Sequence, residues 1–129
     1  MEVKTIVPSG MEVQLEEWKL APGLRVGDML YCSGQLGFGP DGALPTDMEA
    51  QITNAFEAVK SVLEAAGASF AEVVEMSSFH VGLQSQLEVF ARVRDRYVPA
   101  PYPAQTAVGV AELGAPGALI EIRVTACLA

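Results

Sequence analysis

Pro101-Tyr-Pro-Ala-Gln-Thr-Ala-Val-Gly-Val110, followed by Ile120-Glu-Ile122, is the stretch whose reading decides the fold. Two prolines flanking an aromatic hold the backbone extended, because the pyrrolidine ring fixes φ and drives the preceding residue out of the helical region. A strand-like run follows at once, and a second strand then carries one acid among aliphatics. Over 118–128, Ile120, Ile122, Val124, Ala126 and Leu128 fall on one face, and Glu121, Arg123, Thr125 and Cys127 on the other, since strand side chains alternate. The first face is apolar and the second is mixed.

Upstream, residues 12–20 alternate as Val13, Leu15, Glu17 and Lys19 against Gln14, Glu16, Trp18 and Leu20. That period of two predicts a strand whose apolar face changes near Trp18. Pro22-Gly23 and Gly27-Asp28 punctuate the chain, as turn dipeptides do. Met29 to Cys32 is a short apolar run suited to a strand buried on both sides, ending at Ser33-Gly34-Gln35. A loop from Gly37 to Pro45 contains Asp41-Gly42, a turn pair. A helix is expected after Thr46 or Asp47, either of which can cap it. Its stripe is Ile52, Ala55, Phe56, Val59, Val62, Leu63 and Ala66, at the spacing of one helical face. Gly67 is placed to end it in the left-handed conformation.

Ser69 then opens a short turn before a strand from Val73 to Val81. A second helix is predicted from Gln86 to Tyr97, capped by Ser85, with Leu87, Phe90, Val93 and Tyr97 as its stripe and Glu88–Arg92 as a pair four apart. Pro99, Pro101 and Pro103 stop it, and strands over 105–111 and 118–128 close the chain. The order β-β-β-α-β-α-β-β is an α+β pattern: one mixed sheet with two helices on one face, in a single domain spanning 1–129. Its other face needs cover, and copies of the same chain are the simplest source.

The chain of 129 residues is half hydrophobic and carries a formal charge of −8, from 16 acids against 8 bases. A field of that sign repels phosphate backbones, so no nucleic-acid partner is expected. Arg92, Arg94 and Arg96 read as a solvated helix face near a C-terminus, where cations complement the dipole. No run of about 18 apolar residues predicts a membrane span. The start, Met1-Glu-Val-Lys-Thr-Ile-Val7, lacks a secretory pattern, so the expected location is cytoplasmic.

Dinucleotide, Walker and nucleophile-elbow motifs are absent, and Gly37-Phe-Gly39 leads into Pro40 rather than a helix, which rules out a phosphate cradle there. One histidine, His80, cannot assemble a histidine-based metal site; it reads as structural or exposed, with proton transfer in a cleft as the alternative. Cys32 and Cys127 lack metal or redox spacing and read as buried thiols, with a reactive Cys32 as the minority reading. Neither cofactor nor metal is expected.

With Cys32-Ser-Gly-Gln35 added to the two C-terminal stretches, the chain resembles the RidA/YjgF family of reactive-intermediate deaminases, also labelled endoribonuclease L-PSP, along nearly its whole length. The resemblance implies a chorismate-mutase-like fold and a homotrimer with clefts between neighbours. It also implies a substrate that is an enamine or imine made from an amino acid, such as 2-aminoacrylate. In the family an arginine clamps the substrate carboxylate as a bidentate pair, the strong geometry for that anion. Glu121 matches the water-positioning glutamate and is the candidate catalytic residue; Ser33, Gly34 and Gln35 match the pocket turn. The pocket tyrosine falls on Leu20, the helix asparagine on Ala91, and the arginine on Gln105.

The stretch 101–110 and Ser78-Phe-His80 look like the arginine-less, YjgH-like subgroup. The expected pocket combines Glu121, Ser33, Gly34, Gln35, Tyr102, Gln105 and Trp18, and suits a small neutral or cationic, partly aromatic ligand. Arg123, two residues from Glu121 on the same strand face, is about 7 Å away. It either replaces the lost cation or pairs with an acid such as Glu121. Three readings follow: a trimeric small-molecule binder without the standard deaminase activity, an enamine/imine deaminase of altered range, and an endoribonuclease, which the charge disfavours.

Overall fold

The two faces read in 118–128 are the two faces of the sheet. The structure is a computed structural model and describes residues 2–128. Along the chain the elements are β1 (Val3–Ile6), α1 (Glu12–Glu16), β2 (Gly23–Val26), β3 (Met29–Cys32), β4 (Gln35–Leu36), α2 (Met48–Ala65), β5 (Val73–His80), α3 (Leu83–Arg94), β6 (Ala104–Gly109) and β7 (Ile120–Cys127). The sheet runs β1-β2-β3-β7-β5-β6, with β4 also on β7. Only β5 and β6 pair in parallel, the arrangement a helical crossover such as α3 allows. Among the described residues no helix is long and apolar enough to cross a membrane.

On β7 the residues Ile120, Ile122, Val124 and Ala126 are buried. They join Ile52, Phe56, Val59 and Leu63 of α2 and Phe90 and Val93 of α3 in one core, so both helices cover the same face. The α2 stripe is as expected, apart from Ala66, which is only half-buried. Asp47 caps the helix by accepting from the Ala50 N–H at 2.9 Å, and Gly67 leaves it at φ +77°. Ser69 and Glu72 form a reciprocal capping box ahead of β5.

Six expectations are corrected. Residues 12–20 are not a strand: Glu12–Glu16 is a short helix, followed by Lys19 in the left-handed region at φ 61°. Val13 and Leu15 are both exposed, so the alternation there records no buried face. α3 starts one turn earlier than predicted, after Gly82, and Ser85 Oγ donates back to the Gly82 carbonyl instead of capping. Its inner face carries buried Gln86, while Leu87 is exposed. Arg92 pairs not with Glu88 but with Glu49 of α2, which Arg96 also contacts at 3.0 Å; the two guanidiniums hold that carboxyl below its ordinary range. β3 is buried on one side only, with Leu30 and Cys32 inward and Tyr31 exposed. β1 was not expected at all.

Two buried glutamines set where β7 begins. Gln51 Oε1 accepts the Leu119 N–H at 2.5 Å, and its Nε2 donates to the carbonyls of Pro45 and Gly117. Gln86 Nε2 donates to the carbonyls of Leu119 and Val81, each at 2.9 Å. Gln86 Oε1 is thereby left as an acceptor for His80 Nδ1–H at 2.9 Å, and His80 Nε2 accepts from the Ser78 hydroxyl at 2.8 Å. His80 is fully buried, edge-on to Phe90, and structural.

Burial holds the His80 pKa below its ordinary 6.5, although the bond to Gln86 pulls the other way. The unfolded chain therefore binds this proton at a higher pH than the folded one. The stabilisation is complete above 6.5 and is lost as pH falls below it. Thermal melts should drop between about pH 7 and about pH 5, with a smaller drop in His80→Gln. Equal slopes in the two proteins would remove His80 as the cause.

Candidate functional site

The site begins at a break in the sheet. Tyr31 registers with Thr125 and Gln35 with Ile122, so three residues on this side span two on β7. An extra residue of that kind bends a strand and re-aims its neighbours. Here it lays Ser33-Gly34 over Glu121: a Cβ at position 34 would lie 2.3 Å from Glu121 Oε2 and 2.6 Å from its Cδ. Gly34 permits that close approach without a special φ; a Cβ there would have to push the Glu121 side chain aside.

The flanking side chains are tied down. Ser33 Oγ donates to the Ala21 carbonyl at 2.6 Å, and the Ser33 N–H to Pro22 at 2.9 Å. Gln35 is buried and exchanges two amide hydrogen bonds with Gln14 of α1, at 2.9 and 3.1 Å. Such reciprocal pairs satisfy both amides in a half-dry site. Trp18 is 50% exposed and tilts against Phe38 with ring centroids 6.3 Å apart.

Glu121 is half-buried and borders two cavities. One, of about 310 Å³, is lined by Gln14, Trp18, Leu20, Gln35 and Phe38 as well as Glu121. The other, of about 550 Å³ on the helix-free face, includes Ser33, Tyr31 and Arg123. Arg123 is exposed and shares that second cavity with Glu121; the two do not form an ion pair. Gly34 and Leu20 border both cavities.

Within one chain, Tyr102 and Gln105 are not part of this site. Tyr102 is 77% exposed, and β6 is exposed along its whole length. Gln105 registers with Met76 on β5, whereas Glu121 registers with Phe79 of that strand. Two strands across and three residues along, their Cα atoms are about 14 Å apart. Ala91 lines neither cavity. Cys32 is buried, and desolvation pushes its thiol up to about 12, which makes it inert; Cys127 is half-buried. Among the described residues no group of three or more His, Cys, Asp or Glu side chains could hold a metal ion.

Gln14 and Phe38 were not expected here. Reading 12–20 as a strand hid Gln14, and Phe38 lay in a loop with no periodicity to place it.

The family model described as endoribonuclease L-PSP matches residues 16–128. The chain belongs to this family, the RidA/YjgF family. The RutC family protein YjgH of Escherichia coli (strain K12) is 35% identical over 127 residues, 98% of this chain and 95% of that protein. A solved structure of protein YjgH matches with a TM-score of 0.88 at 33% identity, covering 99% of this chain and 98% of that one. The 2-iminobutanoate/2-iminopropanoate deaminase of E. coli (strain K12) is 33% identical over 98 residues, 70% of this chain and 73% of that protein. The crystal structure of E. coli TdcF with bound serine matches with a TM-score of 0.74 at 29% identity, over 85% of this chain and 88% of that one. RidA/YjgF membership accounts for the mixed sheet and few helices. It also places imine-deaminase relatives beside this chain.

Gly34→Ala should destabilise the fold by only about 1 kcal/mol in urea titrations, because the methyl can push the Glu121 side chain aside. In a Glu121→Ala background most of that cost should vanish. An unchanged cost there would mean that the clash is with something else.

Proposed function

We propose that the chain works as one domain in a homotrimer, whose intersubunit clefts bind a small molecule beside Glu121 and lack the standard 2-aminoacrylate deaminase activity. The observation that carries this reading is the position of Gln105: on an exposed edge strand, about 14 Å from Glu121 of its own chain. A neighbouring copy can bring Gln105 and Tyr102 to a Glu121, with Ser33, Gly34, Gln35 and Trp18 completing the wall. The half-covered sheet face, with Tyr31 and Val108 exposed on it, supports the same assembly.

Glutamine offers neutral hydrogen bonds where a guanidinium would give charge-assisted ones, which are roughly twice as strong. Burying a substrate carboxylate beside Glu121 without that cation costs several kcal/mol. The favoured ligand is neutral or bears an N–H that Glu121 accepts. The family's deaminase relatives support a hydrolytic role for the carboxylate, orienting water or acting as a base. TdcF with bound serine supports small-molecule binding by this fold. The charge of −8 favours such a ligand over nucleic acid, because phosphate backbones need cations.

A second reading rests on one observation: Arg123 shares the 550 Å³ cavity with Glu121 and Ser33. There its guanidinium could hold a carboxylate and sustain deamination with an altered substrate range.

Hydrolysis of 2-aminoacrylate generated in situ separates the two. The first reading expects the uncatalysed rate from the natural chain, and a gain of about tenfold or more in Gln105→Arg. Clear turnover that Arg123→Gln abolishes would establish the second. Glu121→Gln should alter ligand binding or turnover while sedimentation still reports a trimer; loss of the trimer would show a structural role instead.

A further inference from the structure

Beyond the cavity of about 310 Å³ at Glu121 lies another of about 400 Å³. Gln14, Trp18, Gln35, Leu36 and Phe38 line both. They are adjoining compartments of one cleft, with the Trp18–Phe38 pair and the Gln14–Gln35 amide pair between them. The far compartment is a partly open groove walled by Val13 from α1, Ala58 from α2 and Pro40 from the connecting loop. Among the described residues, none that lines it carries a charge.

We propose that this far compartment is a specificity subsite for an uncharged aryl group, carried on the ligand whose N–H-bearing head meets Glu121. The proposal rests on the reading of Glu121 as the ligand-binding acid and adds a substrate class to it. Three features point to an aryl arm. The compartment offers apolar walls and no counter-ion, so a charged arm would lose part of its hydration there and gain no partner. Its volume is ample, since roughly 150 Å³ already holds a benzene ring. Trp18 and Phe38, tilted at 45° to each other, line both compartments, and aromatic groups pack on such pairs in tilted or offset geometries. The Gln14–Gln35 pair uses its amide groups on itself, which leaves the passage without an unpaired polar demand.

Trp18 is the single tryptophan of the chain, so its fluorescence reports on this boundary. Titration of the full chain with propanamide and with 3-phenylpropanamide compares one head with and without the aryl arm. The expected result is binding of both, with the phenyl compound about tenfold tighter or better, as burial of a ring implies. Ala58→Phe and Val13→Phe fill the far compartment from two different helices, α2 and α1. Either one, if it melts cooperatively, should erase the preference and leave propanamide affinity unchanged. Equal affinities in the natural chain, or a preference that survives filling, would overturn the subsite. Glu121→Gln separately tests the head: propanamide affinity that is unmoved there, or no response to either amide, defeats the reading of Glu121 and the subsite with it.

Discussion

The peptide at Leu119 is held from both sides by buried side-chain amides. Gln51 of α2 accepts its N–H and Gln86 of α3 donates to its carbonyl. β7 starts at the next residue, and Glu121 is the one after that. A slip of a single residue would exchange the two faces of the strand, placing Glu121 against the helices and Ile122 in the cleft. The bonds to Leu119, together with the burial of Ile120, Ile122, Val124 and Ala126, fix that register. Hydrogen bonds to buried groups of this kind cost far more to leave unmade than they contribute when made. The location of the acid thus depends in part on two glutamines that line neither cavity beside it.

The second constraint is the sheet's unequal cover. α2 and α3 share one face, and the other is left to Leu24, Tyr31, Phe79, Val108 and the Glu121–Arg123 pair of positions. β6 closes one edge with no strand beyond it. Edges of this kind are usually short, charged or covered; β6 is uncharged and fully exposed. The proposed trimer explains both features at once, and it joins the Gln105 edge of one copy to the Glu121 wall of another.

Much of this was legible in the sequence because burial imposes period. The α2 stripe and the two faces of β7 follow from spacing, with Asp47, Gly67 and the turn opened by Ser69 as recognisable punctuation. The failures share a cause: side chains whose roles are set by distant partners. Gln86 and Gln51 are polar, so no pattern of hydrophobicity marks them as core; their partners lie 33 and 68 residues away. Gln14 is equally silent until Gln35 is placed opposite it. α1 is a short helix with no buried residue, and nothing in its amphipathicity separates it from a strand. For the site, Glu121 and the Ser33-Gly34-Gln35 turn could be found by motif, whereas the reason for Gly34, a carboxylate against its Cα, required coordinates.

In the proposed cleft an acid stands without a cation placed to receive a carboxylate. Isosteric ligands put that to the most direct test. Calorimetric titration of 3-phenylpropanamide and 3-phenylpropanoate into the full chain compares heads of the same size that differ chiefly in charge. The amide is expected to bind and the carboxylate to bind at least about tenfold more weakly, as an unpaired charge beside Glu121 requires. A carboxylate that binds as tightly as the amide, or more tightly, would contradict it and assign the missing anchor to Arg123.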